Sequence, residues 1–335
     1  MGQSLGCVVS LPIRRQLGLH KEIPKMLSKR KEDSGEKKDH ITVCICTYKR
    51  PKLLLRLLLA VCQQRTGGLF DYSIVVVDND GAESAKDMVL DLKERYPIDI
   101  GYYCEAEQNI ALARNKAIEK SRGGLVAFID DDEFPEENWL LNLYKTYKEF
   151  RADGVLGPVR PHFQVEPPKW IIKGKLFDRR TFTTGSIMKD LREMRTGNVL
   201  LCGNVINEKE PAFDRRFGKT GGEDTDFFKR KLANGYVFAW CDEAMVYETV
   251  PPERFKRAYF LKRALLRGVS TAKRGHLGIF NFGKSLIAVI LYTSALPMLL
   301  IIGHHHFMKF LIKDCDHIGK LLAACGLELV KERTF

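Results

Sequence analysis

Carboxylates gather at two places in this chain of 335 residues. At the first, an apolar run ends in Phe128-Ile129-Asp130-Asp131-Asp132-Glu133. Like charges set side by side in partial burial repel strongly unless a cation or a set of donors compensates them. Hard oxygen ligands of this kind suit Mg²⁺ or Mn²⁺ bridging to a diphosphate. A solvated acidic turn, capping a helix over Pro135–Phe150, accounts for the same residues without any chemistry. At the second place, Gly221-Gly222-Glu223-Asp224-Thr225-Asp226 sets adjacent carboxylates at a helix N-terminus behind a glycine pair. The helix dipole favours their ionised form and the glycines permit close approach of a ligand, so one of them can serve as a general base toward a hydroxyl. Simple N-capping is the alternative there. Two such clusters on one chain are harder to dismiss than either alone.

A developing negative charge on a leaving group calls for cations as well as acids. Arg263 and Arg267 are spaced i, i+4 on a helix expected over Glu253–Gly268, so both can reach one anion. Arg254, Lys256 and Arg257 suit lipid headgroups equally well. A zinc–histidine site is not expected, since of eight histidines only His162 lies between the acidic clusters. The consecutive His304-His305-His306 point about 100° apart on a helix and do not converge on one metal.

These side chains need a scaffold, and the chain supplies an alternating one. Apolar β-rich runs at Ile41–Thr47, Ser73–Asp78, Asp99–Cys104 and Leu125–Ile129 alternate with helical patterns at Pro51–Cys62, Glu83–Arg95 and Ile110–Ser121. That order predicts an α/β fold, a mostly parallel sheet with helices on both faces. Ligands of such sheets bind at the carboxyl ends of the strands, here Thr47-Tyr48, Asp78-Asn79-Asp80 and Asp130-Asp131-Asp132. The turn after the first strand, Thr47-Tyr48-Lys49-Arg50-Pro51, has no glycine, which excludes a dinucleotide fingerprint; a P-loop is missing too. Beyond Phe150 the pattern loosens: strands are expected at Gly154–Val159, Gly197–Cys202 and Tyr236–Cys241, a loop-rich stretch over 160–196, and a helix from Gly221 to about Asn234.

Composition sets the remaining bounds. With 45% hydrophobic and 29% charged residues the chain is a folded globular protein. Its net charge of +12 is concentrated in the flanks: residues 254–284 hold nine Lys/Arg and no acid, whereas 41–253 are nearly neutral. Basic flanks suit an anionic lipid surface, and no nucleic-acid partner is expected because interleaved aromatics and a reader framework are missing. Nine cysteines without a CxxC pair read as small buried hydrophobes of a reducing cytosol. The first 40 residues resemble neither a secretory signal nor a myristoylation site. Ser285–Ile302 is an uncharged apolar run of 18 residues, at the lower limit for crossing a bilayer, interrupted by Pro297. Phe307–Cys325 shows one apolar face and reads as an interfacial helix.

Five pieces in order carry a family likeness: Val43 to Pro51, Val75 to Asn79, Asn109 with Ala113-Arg114-Asn115, Phe128 to Asp132, and Gly221 to Asp226. Together they resemble the inverting glycosyltransferases of family 2 with the GT-A fold, and within them bacterial succinoglycan-type glucosyltransferases. The resemblance implies a Rossmann-like sheet and roles at matching positions. Thr47, Tyr48 and Arg50 would line the nucleotide base, Asp78 would hold uracil or ribose, and Arg114 would approach the base or phosphates. Asp130 and Asp131 belong with the nucleotide, Asp132 with Mg²⁺ or Mn²⁺. Asp224 would deprotonate the acceptor, with Glu223 as its rival, and Asn198 would touch acceptor or donor sugar. Glu248 departs from the histidine that many relatives carry near this position. The expected organisation is an extension over 1–40, a catalytic domain over 41–250, a basic helical segment over 251–284 and a membrane-associated tail over 285–335. The expected function is hexose transfer from a nucleotide sugar, UDP-glucose foremost, to a lipid-linked glycan at the cytoplasmic face of the inner membrane. A sugar-phosphate nucleotidyltransferase is the enzymatic alternative, but it calls for a glycine-rich basic loop after the first strand. A non-catalytic scaffold is the other alternative, and the intact acidic clusters speak against it.

Overall fold

The first strand, β1 (Asp39–Thr47), is buried from Ile41 to Ile45 because it is flanked on both sides by parallel neighbours. The computed structural model describes residues 38–206, 210–218, 221–275 and 279–327. The N-terminal extension up to residue 37 and the last eight residues of the tail lie outside the described residues. After β1 come α1 (Pro51–Val61), β2 (Phe70–Asp78), α2 (Lys86–Arg95), β3 (Ile100–Cys104), α3 (Ile110–Glu119) and β4 (Leu125–Ile129). Pro51 opens α1 where its missing N–H costs nothing, and Leu54, Leu57, Leu58 and Val61 bury one stripe of that helix. Asn109 caps α3, its side chain accepting from the amides of Ala111 at 3.0 Å and Leu112 at 3.3 Å.

Seven strands form the main sheet in the order β3-β2-β1-β4-β8-β6-β9, where β6 is Gly154–Leu156, β8 Asn198–Cys202 and β9 Phe238–Trp240. The first four are parallel, as expected, and β8 runs antiparallel to both β4 and β6. Register places Thr47 opposite Asp78 and Cys44 opposite Phe128. The carboxyl ends of β1, β2 and β4 therefore finish along one edge of the sheet.

A second sheet of three strands, β5-β10-β7, consists of β5 (Glu133–Pro135), β10 (Val246–Val250) and β7 (Val159–Phe163). Three expectations are corrected here. The helix expected from Pro135 begins at Trp139 as α4 (Trp139–Phe150), because Glu133–Pro135 pairs with β10. The strand expected over Gly154–Val159 splits between the two sheets at Gly157-Pro158, and the loop-rich stretch contains a short helix, α5 (Lys169–Gly174). The helix expected over Glu253–Gly268 is a 3₁₀ turn at Pro252–Phe255 followed by α8 (Arg257–Gly275). Gly203–Ile206 forms α6 and Glu223–Ala233 forms α7.

The chain closes with α9 (Ile279–Ile302) and α10 (His304–Ala324). α8 and α10 meet backbone to backbone: a Cβ on Gly319 would strike the Leu265 carbonyl, and one on Gly268 the Asp316 carbonyl. α9 turns its apolar side chains outward, with Ile287 59%, Leu291 63% and Ile301 88% exposed. Among the described residues, Asn281–Ile302 is the one helix long and apolar enough to cross a membrane.

Candidate active site

The β1–α1 turn grips the middle aspartate. Thr47 donates its hydroxyl to Asp131 at 2.9 Å and Arg50 donates to the other oxygen at 3.1 Å. Burial raises the Asp131 pKa, against the pull of Arg50 and Thr47. Asp131 thus joins β4 to the turn after β1, and with both oxygens engaged it positions that turn. Lys49 takes a left-handed conformation there, φ 53°, which leaves its ammonium 5.1 Å from the Tyr48 ring. At the end of β2, the buried Asp78 accepts from the amides of Asp80 at 3.1 Å and Ala85 at 2.8 Å and from the Tyr102 hydroxyl at 3.1 Å. Its carboxylate organises the loop after β2 from inside.

The outer aspartates face a different set of partners. Arg114, on α3, is buried and forks between the two acidic clusters, 3.2 Å from Asp130 and 2.6 Å from Glu223. Burial disfavours the charged guanidinium, but Glu223 and Asp130 outweigh it and raise the Arg114 pKa. Asp132 is pushed up to about 7, by burial first and then by the charges of Asp130 and Glu248. Arg254 works against that, 3.3 Å from Asp132 and 2.8 Å from Glu248, and Arg50 lies 3.6 Å from Asp132. Arg179 pairs with Glu248 as well. Glu133 lies beneath, buried, its pKa raised well above the usual range by burial and by Asp130. A side chain at Gly197 would fall 2.8 Å from a Glu133 oxygen and 3.1 Å from Asp130.

These geometries bear on the metal expected at Asp132. Among the described residues, no three His, Cys, Asp or Glu side chains converge into a cage. A carboxylate whose charge is this disfavoured by its acidic neighbours is nevertheless short of positive charge, and a hard oxygen donor suits Mg²⁺ or Mn²⁺. Asp132 could hold such an ion, which would neutralise negative charge there, only if its other ligands came from outside these side chains.

α7 separates the two adjacent carboxylates of the second cluster. Gly222 takes φ 98° just before the helix, a conformation that glycine adopts without strain. Glu223 points inward to Arg114, and its second oxygen is buried without a partner. Asp224 is half-buried and, among the described residues, accepts from its neighbour Thr225, whose amide lies at 2.7 Å. Asp226 pairs with Arg230 at 2.8 Å, one helical turn on.

Two of the sequence-based contacts land elsewhere. Asn198 is buried, receives the Trp139 indole N–H at 2.8 Å and donates to the carbonyls of Pro158 at 3.0 Å and Ala244 at 2.7 Å. Its amide therefore fastens β8 to α4 and the second sheet and has no donor left for a sugar. Arg267 is bound to Asp316 on α10 at 2.7 Å, away from Arg263, which donates to the Tyr259 hydroxyl at 3.0 Å. The pair does not share an anion. Arg254, for which lipid headgroups were one of two readings, turns toward Asp132 and Glu248. Sequence reasoning missed Arg179, the partner of Glu248: it lies in the stretch without periodicity, and nothing local marks it. Among the described residues, Cys44, Cys202 and Cys241 are buried.

The family model described as "Glycosyl transferase family 2" matches residues 42–204. The succinoglycan biosynthesis protein ExoM of Rhizobium meliloti (strain 1021) is 36% identical over 231 residues, covering 68% of this chain and 73% of that protein. A chondroitin synthase of Escherichia coli is 24% identical over 247 residues, and this chain spans only 35% of its length. S. aureus TarS 1–349 in complex with UDP superposes with a TM-score of 0.51 at 15% identity, over 87% of this chain and 93% of that one, a likeness of fold. The sheet order, the carboxylates at its edge and these likenesses agree: the chain belongs to glycosyltransferase family 2 and has the GT-A fold.

Proposed function

We propose that the protein transfers a hexose with inversion from a UDP-sugar, UDP-glucose foremost, to a lipid-linked glycan in polysaccharide biosynthesis. The observation that carries this reading is Arg114, which links Asp130 at 3.2 Å to Glu223 at 2.6 Å and so holds the donor-side acids beside the start of α7. Glu223 spends its charge on that link. Asp224, next in the helix and about 100° away, has no cationic partner within salt-bridge distance among the described residues and is the general base toward the acceptor hydroxyl. Thr47, Tyr48, Arg50 and Asp78 shape the nucleotide subsite, with Asp130 and Asp131 at its edge. Asp132 is the residue we assign to Mg²⁺ or Mn²⁺. When bound, such an ion neutralises charge on the departing diphosphate; Arg254 stands beside Asp132 to add to that neutralisation.

Relatives support the donor and product classes: TarS has been crystallised with UDP and UDP-GlcNAc, and ExoM is named for succinoglycan biosynthesis. Residues 41–250 form the catalytic domain in this reading, 251–284 a basic helical segment and 285–335 the membrane-associated tail. The outward apolar face of α9 beside that basic segment supports attachment at the cytoplasmic face of the membrane. Thermal unfolding of the full chain with Mn²⁺ and a panel of nucleotide sugars tests the donor. A ligand at about 100 times its Kd stabilises by about 2.7 kcal/mol, so UDP-sugars should raise Tm visibly. Protection by GDP- or CMP-sugars, and none by UDP-sugars, would refute the donor assignment.

A further inference from the structure

We infer that α9 lies along the surface of an anionic membrane, with its apolar stripe in the upper acyl region, and does not cross the bilayer. The inference rests on the reading of the tail as membrane-associated and adds the topology of that attachment. Length and composition leave both arrangements open: the 24 residues of α9 span about 36 Å, enough to cross the hydrocarbon. The helices packed against α9 decide between them.

α9 returns along α10. Thr293 donates its hydroxyl to the buried Asp314 at 2.9 Å, the Ser285 hydroxyl and the His317 ring lie 3.2 Å apart, and Tyr292 meets Phe310 edge-on with centroids 5.5 Å apart. α10 packs in turn on α8, where Gly268 and Gly319 bring the two backbones together and Arg267 holds Asp316 at 2.7 Å. α8 and α10 both start beside Trp170 of α5, whose ring is 5.5 Å from Phe260 and 5.4 Å from His304. α9 ends at Ile302, just before His304, so its end is fixed there as well. A crossing α9 would therefore begin on the far face of the bilayer from α5. To deliver it there, α8 would have to cross first, carrying Arg257, Lys262, Arg263 and Arg267, and α10 would cross beside it with Lys309, Lys313, Asp316 and Lys320. So many charges do not enter hydrocarbon. With α8 and α10 kept out of it, both ends of α9 stay on one side.

The exposed side of α9 suits the orientation that remains. Leu286, Ile287, Ile290, Leu291, Met298 and Ile301 are 46–88% exposed and fall within one arc of about 140° on the helix. Ser294 lies in the same arc and turns its hydroxyl back to the Ile290 carbonyl at 2.7 Å, so it presents no unanswered donor to lipid. Ser285 and Leu299, on the opposite side, are buried. An apolar stripe bordered by cations is the pattern of a helix lying in the interface. Residues 254–284 hold nine Lys/Arg and no acid; Lys284 is exposed at the start of the stripe, and Lys173 is exposed on α5, which packs on α10 near its end. Anionic headgroups answer these cations, whereas a second copy of the chain would set like charges against them.

Depth-resolved quenching tests the topology. Ile287→Trp, Ser294→Trp and Ile301→Trp place a reporter at exposed points of the stripe on nearly one line of the helix, and unchanged Tm checks the fold of each variant. The full chain is bound to vesicles of phosphatidylcholine and phosphatidylglycerol whose acyl chains are brominated either near the headgroup or near the terminal methyl. Quenching is read as the difference from the wild type, which has three tryptophans of its own. All three reporters should be quenched more by the shallow bromines, as befits side chains about 5–10 Å below the headgroup boundary. Stronger quenching by the deep bromines at the middle reporter, with shallow quenching at the last, would show that α9 crosses and would overturn the inference. Vesicle binding without quenching of any reporter would overturn it too. A dimer in lipid-free sedimentation that Ile287→Asp/Leu291→Asp disperses would give the stripe to a second copy instead. Failure of the wild type to bind these vesicles would strike the reading of the tail as membrane-associated, and the inference with it.

Discussion

Replacing Arg114 by Met tests the link between the two acidic clusters. The side chains of Arg114 and Glu223 are 8% and 9% exposed and 2.6 Å apart, so this is a buried ion pair. Asp130 is 47% exposed, and its contact with Arg114 is screened by water and adds about 0–1 kcal/mol. Met keeps most of the volume of Arg and removes the charge. It strands Glu223, which already has one buried oxygen without a partner. Removing one member of a buried pair costs about 3–5 kcal/mol because the other charge stays buried and uncompensated. For a unit of this size that is a fall in Tm of roughly 10 °C. The double variant Arg114→Met/Glu223→Gln removes both charges and should recover about 1–3 kcal/mol of the loss, the coupling typical of contacting residues. Circular-dichroism melts of the four proteins complete the cycle. A single-variant loss below about 1 kcal/mol, or strict additivity in the double variant, would refute the argument that Arg114 and Glu223 depend on each other.

Three further outcomes follow from the site and the tail. Asp224→Asn should lower turnover by about 10²–10⁴-fold, the usual effect of removing a general base, with little change in donor affinity; near-normal turnover, with collapse in Glu223→Gln, would give the role to Glu223. Asp132→Ala should weaken UDP binding in Mn²⁺ and leave it unchanged in EDTA, and calorimetry showing wild-type affinity equal in both media would sink the metal assignment. Ile287→Asp/Leu291→Asp, on the exposed face of α9, should abolish sedimentation with anionic vesicles, since each charge costs about 2.5–3.5 kcal/mol in hydrocarbon; Tm should stay unchanged, and retention on the vesicles would count against the attachment of this helix.

Legibility of the fold followed how much of each element its own residues specify. β1 and β4 are apolar runs buried inside the sheet and are bounded by turn residues, so their pattern alone marks them. β6, β7 and β10 have three to five residues each, and their place depends on pairing across long stretches of chain. Val159 pairs with Val246, and Glu133 with Glu248. Val246-Tyr247-Glu248-Thr249-Val250 has the composition of a strand, but nothing local says that it pairs with β5 and brings another acid toward Asp132. Asn198 shows the opposite failure, a residue conspicuous in sequence whose amide is consumed by β8, α4 and the second sheet.

The choice between Glu223 and Asp224 shows why adjacent residues of one type resist sequence reasoning. Both sit in the first turn of α7, where the helix dipole favours a carboxylate at either position. Local chemistry is the same for both, and their directions on the helix, about 100° apart, do not say which one faces substrate. That depends on Arg114, which stands 109 positions earlier in the chain and arrives through α3. α3 is in turn set by Asn109, whose backbone N–H donates to the Asn79 side chain at 2.8 Å in the loop after β2. The inward carboxylate is thus selected by a chain of contacts running from the end of one strand through a helix cap to a buried arginine. Of the two, Glu223 is the one paired with that arginine, and Asp224, half-buried and without a salt-bridge partner among the described residues, is the one that suits the proposed role of base.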